Sequence, residues 1–147
     1  MIRDAKQSDL DACVDLARDV YGKFLEESGI EIVLSDIVIT TEKMIDLKQV
    51  IVLEHDGEVV GMVAYVIAGH PANYRVKIIQ ELLWCCKGVH VTDGLSLLRA
   101  FEERAEKEKA DIVIIANLHE HQSERLDKIY RKMGYKFMET HYVRSRK

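Results

Sequence analysis

The run Glu81–Leu118, ELLWCCKGVHVTDGLSLLRAFEERAEKEKADIVIIANL, changes periodicity twice, and those changes decide the fold. Its first residues close an apolar, β-rich segment, VKIIQELLWCCK. The middle, GLSLLRAFEERAEKEKA, repeats apolar residues at helical spacing, with Leu95, Leu98, Phe101 and Ala105 on one face. The end, DIVIIANL, is apolar without alternation, the pattern of a strand buried on both faces of a parallel sheet. Strand, helix and strand in that order predict a parallel pair joined by a right-handed crossover.

Working outward, QVIVLEHDGEVVGMVAYVIAG places two β-rich runs around Asp56-Gly57, a preferred pair for a tight hairpin turn. Pro71, the single proline, marks a loop in AGHPANYR. Near the N-terminus IRDA predicts a short strand. Ser8 then predicts an N-cap, with Asp11 at the third helical position. Leu10, Cys13, Val14, Ala17, Tyr21 and Phe24 follow at helical spacing, and Gly29 is the expected stop. A second helix is expected within Ser35 to Lys48, although DIVIT is β-branched. Downstream, SERLDKIYRKMGY predicts a helix with Leu126, Ile129, Tyr130 and Met133 on its apolar stripe, and YKFMETHYV a final strand. The order β-α-α-β-β-β-α-β-α-β predicts an α/β (α+β) fold. A mixed central sheet of about six strands is flanked by about four helices. The 147 residues are expected to form one domain.

Composition narrows the function. Hydrophobic residues make up 48% and charged residues 31%, an ordinary globular balance. A net charge of -4 argues against a nucleic-acid partner, and the basic VRSRK end reads as a solvated tail. Cys13, Cys85 and Cys86 are odd in number and fit no zinc spacing. Alternation sends Cys85 and Cys86 to opposite faces, and without a basic neighbour both read as core thiols. Free thiols and no leader-like segment predict a cytoplasmic protein. No apolar run nears the ~18 residues of a membrane helix.

The stretch Glu81–Leu118, taken with LDKIYRKMGYKF, resembles the GNAT superfamily (GCN5-related N-acetyltransferases) of acyl-CoA N-acyltransferases. Glu81-Leu82 matches the family's strand signature E-L-x-V. Leu97-Leu98 matches its leucine pair and Glu102-Glu103 its acidic pair. Tyr130, Gly134 and Tyr135 match its Y-x-x-x-G-F/Y motif. The hairpin VIVLEHDGEVVGMVAY is similar to the family's central hairpin. The phosphate loop departs from the pattern Arg/Gln-x-x-Gly-x-Gly/Ala. Val89 stands where Arg or Gln is usual, Thr92 replaces the first glycine, and Gly94 remains. A register two residues along reads Val91-x-x-Gly94-x-Ser96. Thr92 or Asp93 also reads as a cap for the following helix.

The resemblance implies transfer of an acetyl group from acetyl-CoA directly to a primary amine of a small molecule or protein. Such an amine, with pKa ~10.4, is neutral about once in 2,500 at pH 7, so a proton acceptor is needed. The resemblance gives that part to Glu81, acting through a water. Read without it, Glu81 is equally an exposed strand glutamate. His119, Glu120 and His121 are the next candidates; the same HEH is a weak metal signal, and a solvated loop is the plainer reading, so no metal is expected. The resemblance makes Tyr130 the proton donor to the leaving sulfur; its helical stripe alone would make it a packing residue. It implies main-chain N–H donors for the oxyanion around Trp84, Cys85 and Cys86. The pyrophosphate cradle would be Val89, Val91, Thr92, Asp93, Gly94 and Leu95, with Asn117 on the pantetheine arm. Trp84 also reads as core. The acceptor would be shaped by Tyr21 to Lys48. Only thirteen residues follow Gly134, leaving an edge that a second copy could cover in a homodimer. The rival reading is a catalytically inactive GNAT-fold module that binds CoA or a protein partner.

Overall fold

The computed structural model describes residues 1–88, 91–116, 123–139, 141–142 and 144–146. β1 (Ile2–Asp4) leads through a 3-10 turn (Gln7–Asp9) into α1 (Leu10–Glu27) and α2 (Leu34–Asp46). β2 (Val50–His55), β3 (Glu58–His70) and β4 (Asn73–Cys86) form an antiparallel meander. α3 (Val91–Lys107) crosses to β5 (Ile112–Ile114), and α4 (Ser123–Lys132) follows. The sheet order is β1-β2-β3-β4-β5, antiparallel except for the parallel pair β4–β5.

Strand alternation sorts the core into two layers. Ile51, Leu53, Val63, Tyr65 and Ile79 face α3 and α4, meeting Leu97, Leu98, Phe101, Ala105 and Tyr130. Val50, Val52, Met62, Ala64 and Leu83 face α1 and α2, meeting Cys13, Leu16, Ala17 and Ile45. Cys86 packs in the first layer and Cys85 in the second, as alternation predicts. At Gly61 a Cβ would lie 2.7 Å from Cys86 Sγ, so β3 gives up a side chain to let that thiol in. The hairpin turn falls on Asp56 (φ 50) and Gly57 (φ 86), the left-handed pair of a tight two-residue loop.

Three expectations need correction. Ser8 does not cap a helix; it lies within the 3-10 turn. Asp9, the last residue of that turn, is the N-cap of α1 and makes no side-chain cap bond to it. Its carboxylate instead accepts the Lys6 backbone N–H at 2.8 Å and both terminal guanidinium nitrogens of Arg3, charge-assisted bonds that tie it to the chain before the helix. Tyr21 and Phe24, expected on the packed stripe of α1, are only half covered, 40% and 50% exposed, in its C-terminal half. The sheet has five strands: among the described residues, 135–139 and 141–142 form no strand. Phe137, Met138 and Tyr142 are exposed there. A β-rich composition makes a strand only beside a receptive edge.

Candidate active site

The position of Tyr130 follows from how α4 stops. The Gly134 N–H donates to Arg131 C=O (3.1 Å) and the Tyr135 N–H to Tyr130 C=O (3.0 Å). Gly134 has φ 92. These crossed bonds make a Schellman cap, which favours glycine at the left-handed residue and an apolar contact between the residue after it and one in the last turn. Here that contact is aromatic: the rings of Tyr130 and Tyr135 are 5.8 Å apart. The spacing Y-x-x-x-G-Y is therefore the spacing of a capped helix end. Tyr135 also donates to a Glu102 carboxylate oxygen, tying the cap to α3.

A bulge sets Glu81. Ala64 pairs with Leu83 and Tyr65 with Glu81, so Leu82 is an extra residue in β4. Leu82 turns outward, 44% exposed, and Glu81 is buried at 7%. The reading of Glu81 as an exposed strand glutamate is thus overturned. On the other edge, β4 pairs with β5 only over Ile78, Ile79 and Gln80. From Glu81 to Cys86, β4 keeps β3 on one side and, among the described residues, has no strand on the other.

The two side chains meet at the mouth of that opening. Glu81 Oε2 accepts the Ala116 N–H at 3.0 Å, and Tyr130 Oη donates to Ala116 C=O at 3.2 Å. Burial raises the Glu81 carboxyl above the usual glutamate range, partly opposed by the Ala116 N–H. Burial also raises Tyr130, and the Glu81 charge adds to it, so the phenol holds its proton. A carboxylate inclined towards taking up a proton thus lies near a hydroxyl that retains one.

Between α1, α2 and the sheet lies a cavity of about 360 Å³. Its walls include Leu25, Ile37, Met44, Met62, Ala64 and Leu83. Tyr21 forms part of the wall, and its phenol is raised by burial and then by the charge of Glu81.

No protein-family model and no curated protein matches the sequence. Solved structures do. A protein described as a predicted acetyltransferase from Clostridium acetobutylicum, crystallised with acetyl-CoA, superposes with TM-score 0.66 over 97% of this chain and 94% of its own, at 13% identity. The ribosomal-protein-alanine N-acetyltransferase of Brucella melitensis biovar Abortus 2308 gives TM-score 0.65, 97% and 97% coverage, and 14% identity. A transcriptional regulator from Bacillus halodurans C-125 gives 0.71, 97% and 99%, and 19%. The fold is that of the GNAT acetyltransferases.

On this GNAT fold the expected residues are distributed unevenly. Glu81 and Tyr130 come together at Ala116. Thr92, Asp93, Gly94 and Leu95 all lie in the opening turns of α3, which begins at Val91. Neither Thr92 nor Asp93 precedes the helix as an N-cap, because the helix starts ahead of both; Asp93 is the acidic residue of its first turn. Gly94 is helical, and a Cβ there would sit 3.6 Å from Trp84 Cζ2, an ordinary contact. Trp84 Nε1 is buried with no hydrogen-bond partner among the described residues. Cys85 and Cys86 are raised to about 12 and about 11, chiefly by burial, so they stay thiols. Val89, Asn117, His119, Glu120 and His121 lie outside the described residues. Among the described residues no helix is long and apolar enough to cross a membrane, and no group of three His, Cys, Asp or Glu could hold a metal. Sequence reasoning missed Leu82 as a bulge and Tyr21 as a neighbour of Glu81. Tyr21 carried a faint signal: an aromatic with a polar tip, near the end of a helix leading into the segment Tyr21 to Lys48.

Proposed function

We propose that this chain is a single-domain N-acetyltransferase moving an acetyl group from acetyl-CoA directly to a primary amine. The observation that carries this is the convergence of Glu81 and Tyr130 on the two polar atoms of Ala116, where β4 and β5 part. The residues present fit the cofactor. Trp84 Nε1 is a buried donor with no acceptor among the described residues, and the first turn of α3 has amide donors that the helix cannot use itself. Bound acetyl-CoA would supply an activated carbonyl and a sulfur leaving group.

The chain's own groups would do the rest. Glu81 takes the proton of the incoming ammonium at its carboxylate, directly or through a water. Its raised pKa makes it a stronger acceptor near neutrality than an exposed glutamate. Tyr130 Oη exchanges its bond to Ala116 C=O for one to the departing sulfur. Its pKa lies above that of a thiol, ~8.5, so a shared hydrogen bond comes first and full transfer is uphill. N–H groups of β4 near Trp84 to Cys86 would stabilise the developing oxyanion. The same proposal takes the protein as soluble and cytoplasmic. It also takes the protein as a homodimer with residues 135–147 at or near the interface, where Phe137 and Met138 are exposed.

The rival is a GNAT-fold module that binds CoA or a partner without catalysis. Asp93 favours it, since an acidic residue stands in the first turn of α3, where the phosphate cradle is expected. Calorimetry with acetyl-CoA, then free-thiol release across an amine panel, separates the two. Ligand at 100 times its Kd should stabilise the fold by about 2.7 kcal/mol. Gly94→Val should abolish that shift in a folded protein. Unchanged melting at millimolar CoA would remove the acetyltransferase reading; binding without thiol release would favour the module.

A further inference from the structure

The cavity under α1 and α2 has an unusual charge balance. Most of its lining is aliphatic, thioether or aromatic. Its charged lining residues are Glu31, in the loop after α1, and Asp36, in the first turn of α2. No lysine, arginine or histidine lines it among the described residues. At about 360 Å³ it falls at the small end of ligand sites, ~300–1,000 Å³.

One end of this cavity adjoins the reactive opening. Leu83 and Ala64 line it, and they are the cross-strand pair next to the bulge that sets Glu81. Tyr21 lines the cavity as well, and its phenol is raised by burial first and by the charge of Glu81 second. A molecule lying along the cavity can therefore have its body on Met62, Met44 and Ile37 and one end at Leu83, beside the bulge that sets Glu81.

Resting on the acetyltransferase reading, we propose that the acceptor is a small primary amine on an apolar body, with no anionic group. An ammonium suits a cavity whose lining charges are both negative. An apolar body suits walls that cannot satisfy polar groups. A carboxylate would enter with no cation to meet it and two carboxylates facing it, so free amino acids are excluded. Amino sugars and other hydroxyl-rich amines are disfavoured because the apolar walls cannot satisfy their hydroxyls. Thr40 and Thr41 are the neutral hydroxyl residues of the lining besides Tyr21, too few to serve a polyhydroxylated ring.

The test is calorimetry on the full chain, alone and saturated with CoA. The probes are 2-phenylethylamine, phenylalanine, phenylalanine amide and 2-phenylethanol. The amine and the amide should bind. Phenylalanine and the alcohol should bind roughly tenfold weaker or not at all, since the first brings a carboxylate towards Glu31 and Asp36 and the second lacks the ammonium. The double variant Glu31→Gln, Asp36→Asn should weaken 2-phenylethylamine about five- to tenfold and leave CoA affinity unchanged. Thr40→Trp puts a large ring at an exposed lining position, outside the packed core, and should block the amine alone. Phenylalanine binding as well as 2-phenylethylamine overturns the proposal. So does CoA binding with thioester turnover on other amines while no probe binds, and that result leaves the acetyltransferase reading standing. Binding of the apolar amines with no CoA affinity upholds the ligand class and removes that reading.

Discussion

Two buried tyrosines face the α3 layer, Tyr65 and Tyr130, and their surroundings differ in sign. Tyr65 is fully buried; its hydroxyl donates to Lys48 C=O at 2.8 Å and accepts from Arg104 Nη1 at 2.8 Å. Arg104 also reaches Lys48 C=O at 3.1 Å and pairs with Asp4. The Tyr65 hydroxyl thus both donates and accepts, and the cluster joins the end of α2 to α3 and β1. Tyr130 donates to a single carbonyl beside a carboxylate, where a strand pair opens. Burial pushes Tyr65 up to about 12 with Arg104 working against the rise; at Tyr130 the nearby charge adds to it. One hydroxyl is closed in by a cation; the other lies by an anion and a strand edge that is unpaired among the described residues. A phenol in the first setting fastens elements together, and the one in the second is the proton donor proposed above.

The largest effect expected from this contrast is on turnover. Tyr130→Phe should lower kcat towards the smaller half of the ~10²–10⁴ range for acid catalysis, with stability changing by no more than about 1 kcal/mol. Steady-state kinetics beside urea unfolding measures both, and full activity with chemistry limiting would make Tyr130 a packing residue like Tyr65. Next comes Glu81→Gln. Its turnover loss should be greatest at low pH and shrink as the amine deprotonates unaided; a pH-independent loss would mean that Glu81 only positions other groups. The same variant has a stability signature. A carboxyl raised on folding binds its proton more tightly in the native state. The wild type therefore loses stability as pH rises from the ordinary glutamate value, near 4.5, through its higher folded value. Glu81→Gln should melt higher than wild type at neutral pH, with the advantage fading below pH 4.5. Melting curves across that window check it.

Smaller effects probe the closed end. Tyr65→Phe should cost about 1–2 kcal/mol in denaturant unfolding, because Arg104 loses an acceptor and Lys48 C=O a donor, while turnover stays unchanged. A fall in turnover as large as that of Tyr130→Phe would erase the distinction. The smallest change concerns helix ends. α4 stops on Gly134, whereas α3 stops on Lys109 with φ 55, which a residue with a Cβ adopts at a cost. Lys109→Gly should add about 0.5–1 kcal/mol of stability without touching activity.

Much of this fold was legible because its signals are local. Asp56-Gly57 announces the hairpin, Gly134 the end of α4, and DIVIIANL the parallel strand, although that strand is only Ile112–Ile114 and is not buried on both faces as its apolar run predicted, Ile112 being exposed. Glu81 and Tyr130 could be paired only through the family resemblance, since nothing in either segment says that they meet at Ala116. The bulge at Leu82 left no trace, because ELLW is as apolar on one side of the slip as on the other. The strand expected in YKFMETHYV failed for the opposite reason. Its composition was right, but strand formation depends on an edge elsewhere in the chain. Tyr21 was hidden by its own regularity, sitting at helical spacing after Ala17 and reading as one more packed residue.

The adjacent thiols have a practical consequence. Cys85 lies in the α1/α2 layer with Cys13, and Cys86 in the α3/α4 layer. Side chains sent to opposite faces of one strand cannot readily close on each other as a disulfide or clasp one ion together. Each instead waits behind its own wall of helices. A small alkylating reagent in mild denaturant, followed by peptide mass mapping, would time the departure of the two helical layers separately. The chain thus carries a matched pair of clocks, one residue apart.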